Sequence, residues 1–293
     1  MLVLPIKTPV LKTGDDLAAL LCAGAEILPG DIVVVSSKAV ATVEGAAIDL
    51  SLITPSDAAR ELSEKTGRSP QFSEAVLQEC RRLHGTIVGT CIGGGLTDVR
   101  PSLDTRRDGA TRDDKNVWSI LVASAGLDES NAGTGFAIGW PKDPVLSARK
   151  LREELEKRTK GHKGRKSDKR DKGNPLPLSP LRHLSPLPPS LAVIITDSCC
   201  RPRRLGVTAF ALTVSGLDPL QPNTGPDLFG RPLRMTTEAA ADQLATAANF
   251  LMGNGAQSVP AVIIRDHGLT LSDWEGWVPG IEPEKDLFRD ILR

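Results

Sequence analysis

LAVIITDSCCRPRRLGVTAFALTVS, residues 191–215, decides how this chain folds. Leu191–Thr196 and Val207–Ser215 are apolar at successive rather than alternate positions, so each presents an apolar surface on both faces. That is the pattern of strands at the centre of a covered sheet. Working outward, Asp31–Ser37 and Pro260–Ile264 have the same character, and Ser119–Ser124 reads as a further buried strand. Helical patterns lie between them. Ser56 caps a helix to about Thr66, which Gly67 ends; Ser69-Pro70 opens another to about Leu83. Leu146–Arg158 is charged and amphipathic, and Thr237 opens an Ala-rich helix ending near Gly253. The layout is enzyme-like, α/β or α+β, with no internal repeat.

Two stretches depart from it. Lys157–Lys172 is basic and small-polar, and Asn174–Ser190 is rich in proline, so neither can bury a core. Together they read as a solvated insertion at about 157–190, and a second polar loop is expected at about 97–115. The chain is therefore read as one domain over 1–293 with two insertions.

Composition excludes several functions. Lys plus Arg and Asp plus Glu both number 36, giving no net charge and arguing against a dedicated nucleic-acid binder. Aromatics are 3 % and tyrosine is absent, so base-stacking platforms are not expected. No apolar run approaches the ~20 residues of a membrane helix, and Met1–Lys7 is too short for a signal peptide. Five cysteines without metal spacing suit a reducing, cytoplasmic setting.

No phosphate loop, GxGxxG, HExxH or GxSxG pattern occurs, and the four histidines are scattered. Gly93–Gly95 reads as a flexible connector. What remains is carboxylates and arginines at strand ends. Asp128, in Ala125-Gly-Leu-Asp-Glu-Ser-Asn131, either holds a hard cation or caps a turn. Thr196-Asp197-Ser198 ends a strand and is followed by Arg201, Arg203 and Arg204, a set suited to a divalent cation and a phosphate or carboxylate. Gly225–Arg231, around Asp227, and Gly253-Asn254-Gly255 carry the same ambiguity. Carboxylates, a hydroxyl and arginines without a catalytic histidine favour phosphoryl or nucleotide chemistry.

In order and spacing, these segments resemble the coenzyme F-420-0:γ-glutamyl ligases. The matching pieces are Pro9–Ala18, Gly30–Ser37 through Gly45, Ala125–Asn131, Trp140–Pro144 with Ser147-Ala148, Val193–Asp197, Arg201–Val207, Asp227–Gly230, Ala241-Asp242 and Leu251–Pro260. The resemblance implies an α+β fold of mixed β-sheets flanked by helices, and a homodimer. It also implies a GTP-dependent ligase. GTP phosphorylates the carboxylate of the deazaflavin F-420-0, L-glutamate attacks the acyl phosphate, and GDP and phosphate leave. Two divalent ions, Mg²⁺ or Mn²⁺, are implied, with K⁺ as a further candidate.

By position, Asp128 and Asp197 match metal-binding aspartates, and Ser198 a metal-binding hydroxyl. Arg201 and Arg204 join the two aspartates as catalytic candidates. Thr8, Pro9, Val10, Leu11, Ser37, Lys38, Asn131, Met252, Gly253, Asn254 and Gly255 match nucleotide contacts. Thr42 stands where the family carries a nucleotide-facing lysine, Cys199-Cys200-Arg201 where it has a small residue, Gly and Arg, and Asn254 where an acidic residue is common. Those departures leave open a ligase for another carboxylate, or a GTP-binding regulatory protein.

Overall fold

The computed structural model describes residues 1–100, 119–163, 189–222, 225–231, 237–281 and 284–288. Most of both expected insertions, 101–118 and 164–188, lies outside the described residues.

The runs at 191–196 and 207–215 are adjacent interior strands of one sheet. β2 (Ile32–Ser36) and β8 (Ala192–Cys200) lie parallel at the middle of a six-stranded sheet, paired from Ile32–Ala192 to Ser36–Thr196. Antiparallel neighbours extend the sheet on both sides. β9 (Val207–Leu217) and β13 (Leu271–Trp277) follow β8, while β12 (Ala261–Arg265) and β1 (Leu2–Ile6) follow β2.

Alternation along the pleat sends Val33, Val35, Val193 and Ile195 to one face and Ile32, Val34, Ala192 and Ile194 to the other. All eight are fully buried, and each Val or Ile contributes about 1.5–3 kcal/mol by leaving water. α6 (Ala240–Met252) covers one face with Ala241, Leu244, Ala245, Ala248 and Met252. The small alanines let this helix lie close against the sheet.

The opposite face carries α1 (Leu17–Gly24) and α5 (Pro144–Lys163). It also carries a layer of α3 (Asp57–Thr66), α4 (Pro70–Arg82) and the antiparallel strands β4 (Thr86–Cys91), β5 (Gly94–Val99) and β6 (Ile120–Ala123). Phe72, Val76, Val99, Val122 and Trp140 pack into the same cluster as Val33 and Ile195. A two-stranded ribbon of β3 (Ile48–Asp49) and β7 (Phe136–Ala137) completes an α+β fold with mixed sheets flanked by helices. No helix among the described residues is long and apolar enough to cross a membrane.

Local chemistry set the α3–α4 pair as the sequence indicated. The Ser56 hydroxyl accepts from Ala59 N, and Gly67 closes α3 at φ 69°. The Ser69 hydroxyl accepts from Phe72 N, with proline at the first position of α4.

Other expectations are corrected. Gly93–Gly95 is no connector: Gly93 turns a hairpin and Gly94-Gly95 pair with Cys91 and Thr90. Residues 97–99 of the polar loop expected at about 97–115 belong to β5. Thr97 is fully buried in β5, donating to Val122 O and accepting from Ala125 N. The strand expected at 119–124 is β6, whose exposure alternates, like that of the central strand β5, because the smaller sheet buries one face. α5 runs to Lys163, into the basic stretch expected to be loop over Lys157–Lys172; Arg158 ties it to Asp16 at 2.6 Å. Thr237 does not cap α6. It pairs in a short ribbon, β10 (Gln221–Pro222) with β11 (Thr237–Glu238), and Ala239 precedes the helix without a side-chain cap. The helix α2 (Ser37–Val43), directly after β2, had no counterpart in the sequence reading.

Candidate functional site

The parallel β2–β8 pair ends at Ser36–Thr196, where β2 turns into α2 while β8 runs on beside β9 alone. A register shift between Ile195 and Thr196 marks the spot. Asp197 is thus not at the end of its own strand, as the sequence suggested, but at the carboxyl edge of the parallel pair. Ligands in open sheets collect at that edge.

A cavity of about 330 Å³ opens there. Its walls are Thr8–Leu11 after β1; Ser36, Lys38, Ala39 and Thr42 of the β2–α2 junction; Asn131; Thr196–Ser198 of β8; and Asn249, Met252–Ala256 and Ser258–Pro260 from the end of α6 and the loop after it. Two backbone bonds seat that loop, Thr8 N to Ser258 O at 3.2 Å and Ser36 N to Pro260 O at 2.9 Å. Gly253 ends α6 at φ 65°, and Gly255 N donates to Gln257 Oε1 at 2.8 Å. Tethering by side chain and backbone keeps a glycine-rich wall in one shape.

Asp197 is the buried charge of the cavity. Its Oδ2 accepts from Trp140 Nε1 at 2.6 Å, and its Oδ1 from Ser198 N at 2.9 Å. Burial pushes its pKa above the usual carboxylate range; the Trp140 and Ser198 hydrogen bonds, the charge of Lys38 and the Ser37 hydroxyl only partly oppose this. Ser37 is fully buried, and its Oγ makes no well-formed hydrogen bond.

Asp128 is the more accessible carboxylate. A pair of backbone bonds with Ile138, 2.9 and 2.8 Å, fixes its place after a turn in which Ser124 and Ala125 adopt positive φ. Lys38 forms an ion pair with its Oδ2 and lies 3.1 Å from Ser130 Oγ. Burial raises its pKa, but hydrogen bonds from Lys38 and Ser130 and the Lys38 charge prevail and bring it down to about 2. The ammonium of Lys38 therefore acts on both aspartates.

Among the described residues no cluster of three or more His, Cys, Asp or Glu side chains has metal-ligand geometry. The oxygen donors present nonetheless suit a hard divalent cation. Asp197 is a buried carboxylate with no ion-pair partner among the described residues, the buried Ser37 hydroxyl acts on it, Ser198 lines the cavity beside it, and Asp128 shares with it the charge of Lys38. Such an ion would rest on Asp197, Asp128 and Ser198.

Of the residues singled out from sequence, Thr8, Pro9, Val10, Leu11, Lys38, Thr42, Asn131, Asp197, Ser198, Met252, Gly253, Asn254 and Gly255 line this one cavity. Ser37 lies behind the wall, and Asp128 reaches the cavity through Lys38. Arg201 and Arg204 do not line it. β8 continues three residues beyond Asp197, about 10 Å of extended chain, so both arginines sit exposed on the β8–β9 turn. There the Arg201 charge acts on Cys199 and Asp242, both held above their usual pKa mainly by burial. Asp227 accepts from the Phe229 and Arg231 amides of its own turn and is no part of the wall.

Trp140, which donates to Asp197, is a residue of this site that its local sequence gave no role. Its partner Asp197 is 57 positions away, and no local spacing joins them.

A family model described as F420-0:Gamma-glutamyl ligase matches residues 5–164 and 187–266. A coenzyme F420:L-glutamate ligase of Methanopyrus kandleri is 33 % identical over 290 residues, covering 97 % of this chain and 95 % of the relative. The ligase of the same name from Methanothermobacter thermautotrophicus is 34 % identical over 294 residues, with 96 % and 95 % covered. That of Archaeoglobus fulgidus is 32 % identical over 295 residues, with 99 % and 97 % covered.

Proposed function

The chain belongs to the F420-0:gamma-glutamyl ligase family, and from that premise we propose that it joins L-glutamate to the carboxylate of F-420-0 in a GTP-dependent reaction. The observation that carries the reading is the pairing of a buried, ion-pair-free Asp197 with the Lys38–Asp128 pair beside a cavity walled by Thr8–Leu11 and the Met252–Pro260 loop.

The γ-phosphoryl group of GTP passes to a carboxylate oxygen of the acceptor, breaking its bond to GDP and forming an acyl phosphate. The glutamate amine then attacks the acyl carbon. The bond to phosphate breaks, the amine gives up a proton and an amide remains. Such transfers need positioning and charge neutralisation more than an acid–base dyad. Lys38 supplies one fixed cation in the cavity wall, and the Asn254 backbone N–H is available as a phosphate donor, its neighbours Gly253 N and Gly255 N already donating to Asn249 O and Gln257 Oε1. Two divalent ions, Mg²⁺ or Mn²⁺ with K⁺ as a further candidate, would offset phosphate charge when bound by Asp128, Asp197 and Ser198.

A cytoplasmic homodimer is part of the same proposal. Exposed Leu205, Val207 and Phe250, on the β8–β9 turn and α6, offer apolar surface for a second copy. Thr246 Oγ1 donates to Ala209 O at 3.0 Å, which joins α6 to the start of β9 at that surface.

The test is phosphate release from GTP with Mn²⁺ or Mg²⁺, L-glutamate and F-420-0, each omitted in turn. Release that requires all of them is expected, and Asp128→Asn and Asp197→Asn should each abolish it. Full activity in either variant would overturn the assignment of that aspartate. Nucleotide binding without release would favour the reading in which Thr42 and Asn254 accompany another acceptor or a regulatory role.

A further inference from the structure

Asp197 is held from behind by a donor whose own freedom has been removed. The indole N–H of Trp140 meets Oδ2 at 2.6 Å, while Oδ1 takes Ser198 N at 2.9 Å. One bond on each oxygen fixes the plane of the carboxylate and leaves each oxygen acceptor capacity for a ligand, and Asp197 lines the cavity. An indole is a donor only, so Oδ2 is specified as an acceptor.

The ring is locked in turn. Trp140 is 3 % exposed, with Phe210 edge-on at 6.4 Å and Trp277 tilted against it at 6.0 Å. Gly126, at φ 79°, passes so close that a β-carbon there would lie 2.6 Å from both Nε1 and Cε2 of the ring. A glycine that leaves no room for a methyl group and a buried aromatic cluster together give the indole one position.

We infer that Trp140 is a positioning residue for the cation site: it aims the Asp197 carboxylate into the cavity before any ligand arrives. This inference rests on the ligase reading, because that reading places a divalent ion on Asp197. A ligand carboxylate whose outer hydrogen bond is removed loses about 10–100-fold in metal affinity.

The test is Mn²⁺ binding by the full-length protein saturated with GDP, followed by the electron paramagnetic resonance of free Mn²⁺. Trp140→Phe keeps an aromatic ring and deletes the N–H; its dissociation constant for Mn²⁺ should rise about 10–100-fold. Trp277→Phe keeps an aromatic ring against the indole and leaves the Trp140 N–H in place, so its constant should rise far less than that of Trp140→Phe. Excess Mn²⁺ should restore turnover in Trp140→Phe, a rescue that general loss of structure would not permit.

Equal Mn²⁺ affinity in Trp140→Phe and the unmutated protein would overturn the inference and leave the ligase reading standing. Failure of the unmutated protein to bind Mn²⁺ would overturn both. Should Trp140→Phe not fold, ¹⁵N-tryptophan spectra of the unmutated protein decide. Paramagnetic Mn²⁺ should erase the Trp140 indole resonance where Mg²⁺ leaves it visible, and a resonance untouched by Mn²⁺ would refute the placement.

Discussion

Replacing Gly126 by alanine should destabilise this protein more than the same methyl group added to a left-handed glycine with open surroundings. Gly126 sits at φ 79°, where an L side chain costs about 1–2 kcal/mol. The added β-carbon would also lie 2.6 Å from Trp140 Nε1 and Cε2 and 3.1 Å from Cζ2. A rigid ring between Phe210 and Trp277 cannot swing aside as a lysine would, so overpacking adds about 1–3 kcal/mol. The sum is about 2–5 kcal/mol. Gly67 provides the control: it ends α3 at φ 69°, with nothing within 4 Å of a built β-carbon, so Gly67→Ala carries only the backbone part, about 1–2 kcal/mol. Urea denaturation of both variants, followed by circular dichroism, gives the difference, which isolates the collision with Trp140. Equal losses in the two would mean that the Trp140 ring yields freely, and the rigidity on which its positioning role depends would be refuted.

Restoring charge at Thr42 should tighten nucleotide binding. Thr42 lines the cavity one turn after Lys38 and donates to Lys38 O at 2.7 Å. A lysine there gains a charge-assisted bond to phosphate worth about 1.5–3 kcal/mol and loses about 0.5 kcal/mol to its like-charged neighbour. Allowing for the lost hydroxyl bond and for screening, Thr42→Lys should lower KM for GTP about 3- to 10-fold, less so at high salt; an unchanged KM at low salt would place the phosphates elsewhere. Asp197 gives a pH prediction of opposite sign to the usual carboxylate. Its folded pKa is raised, so between the unfolded value of about 3.9 and the folded one the native state holds the extra proton, and stability falls as pH rises. In chelator-treated protein, the stability of the unmutated chain relative to Asp197→Asn should therefore decline from about pH 4 upward through the folded pKa; a flat or rising difference would contradict the burial argument.

The sequence by itself determined the elements whose causes are local. The two-faced apolar runs at 191–196 and 207–215 could only be central strands, and Ser56, Gly67 and Ser69-Pro70 set the limits of α3 and α4 through caps within three residues of their targets. The order of short motifs was enough to mark most of the residues that now line one cavity. Errors fell where neighbours in space overrode local pattern. Gly93–Gly95 became part of a hairpin because β4 and β5 pair, and the basic run after Lys157 stayed helical as far as Lys163, where α5 is tied to Asp16 through Arg158.

The site itself was decided by tertiary structure. Arg201 and Arg204 stand four and seven positions after Asp197 yet lie outside the cavity, because β8 stays extended past Asp197 and carries its turn away. Trp140, distant in sequence, lies against that aspartate because two layers of the fold meet there. A strand moves successive residues about 3.3 Å apart along one line, so sequence distance along it is real distance. Between layers no such relation holds: which side chains touch depends on how the sheet faces are covered, and a hydrogen bond to a buried carboxylate is written only in that packing.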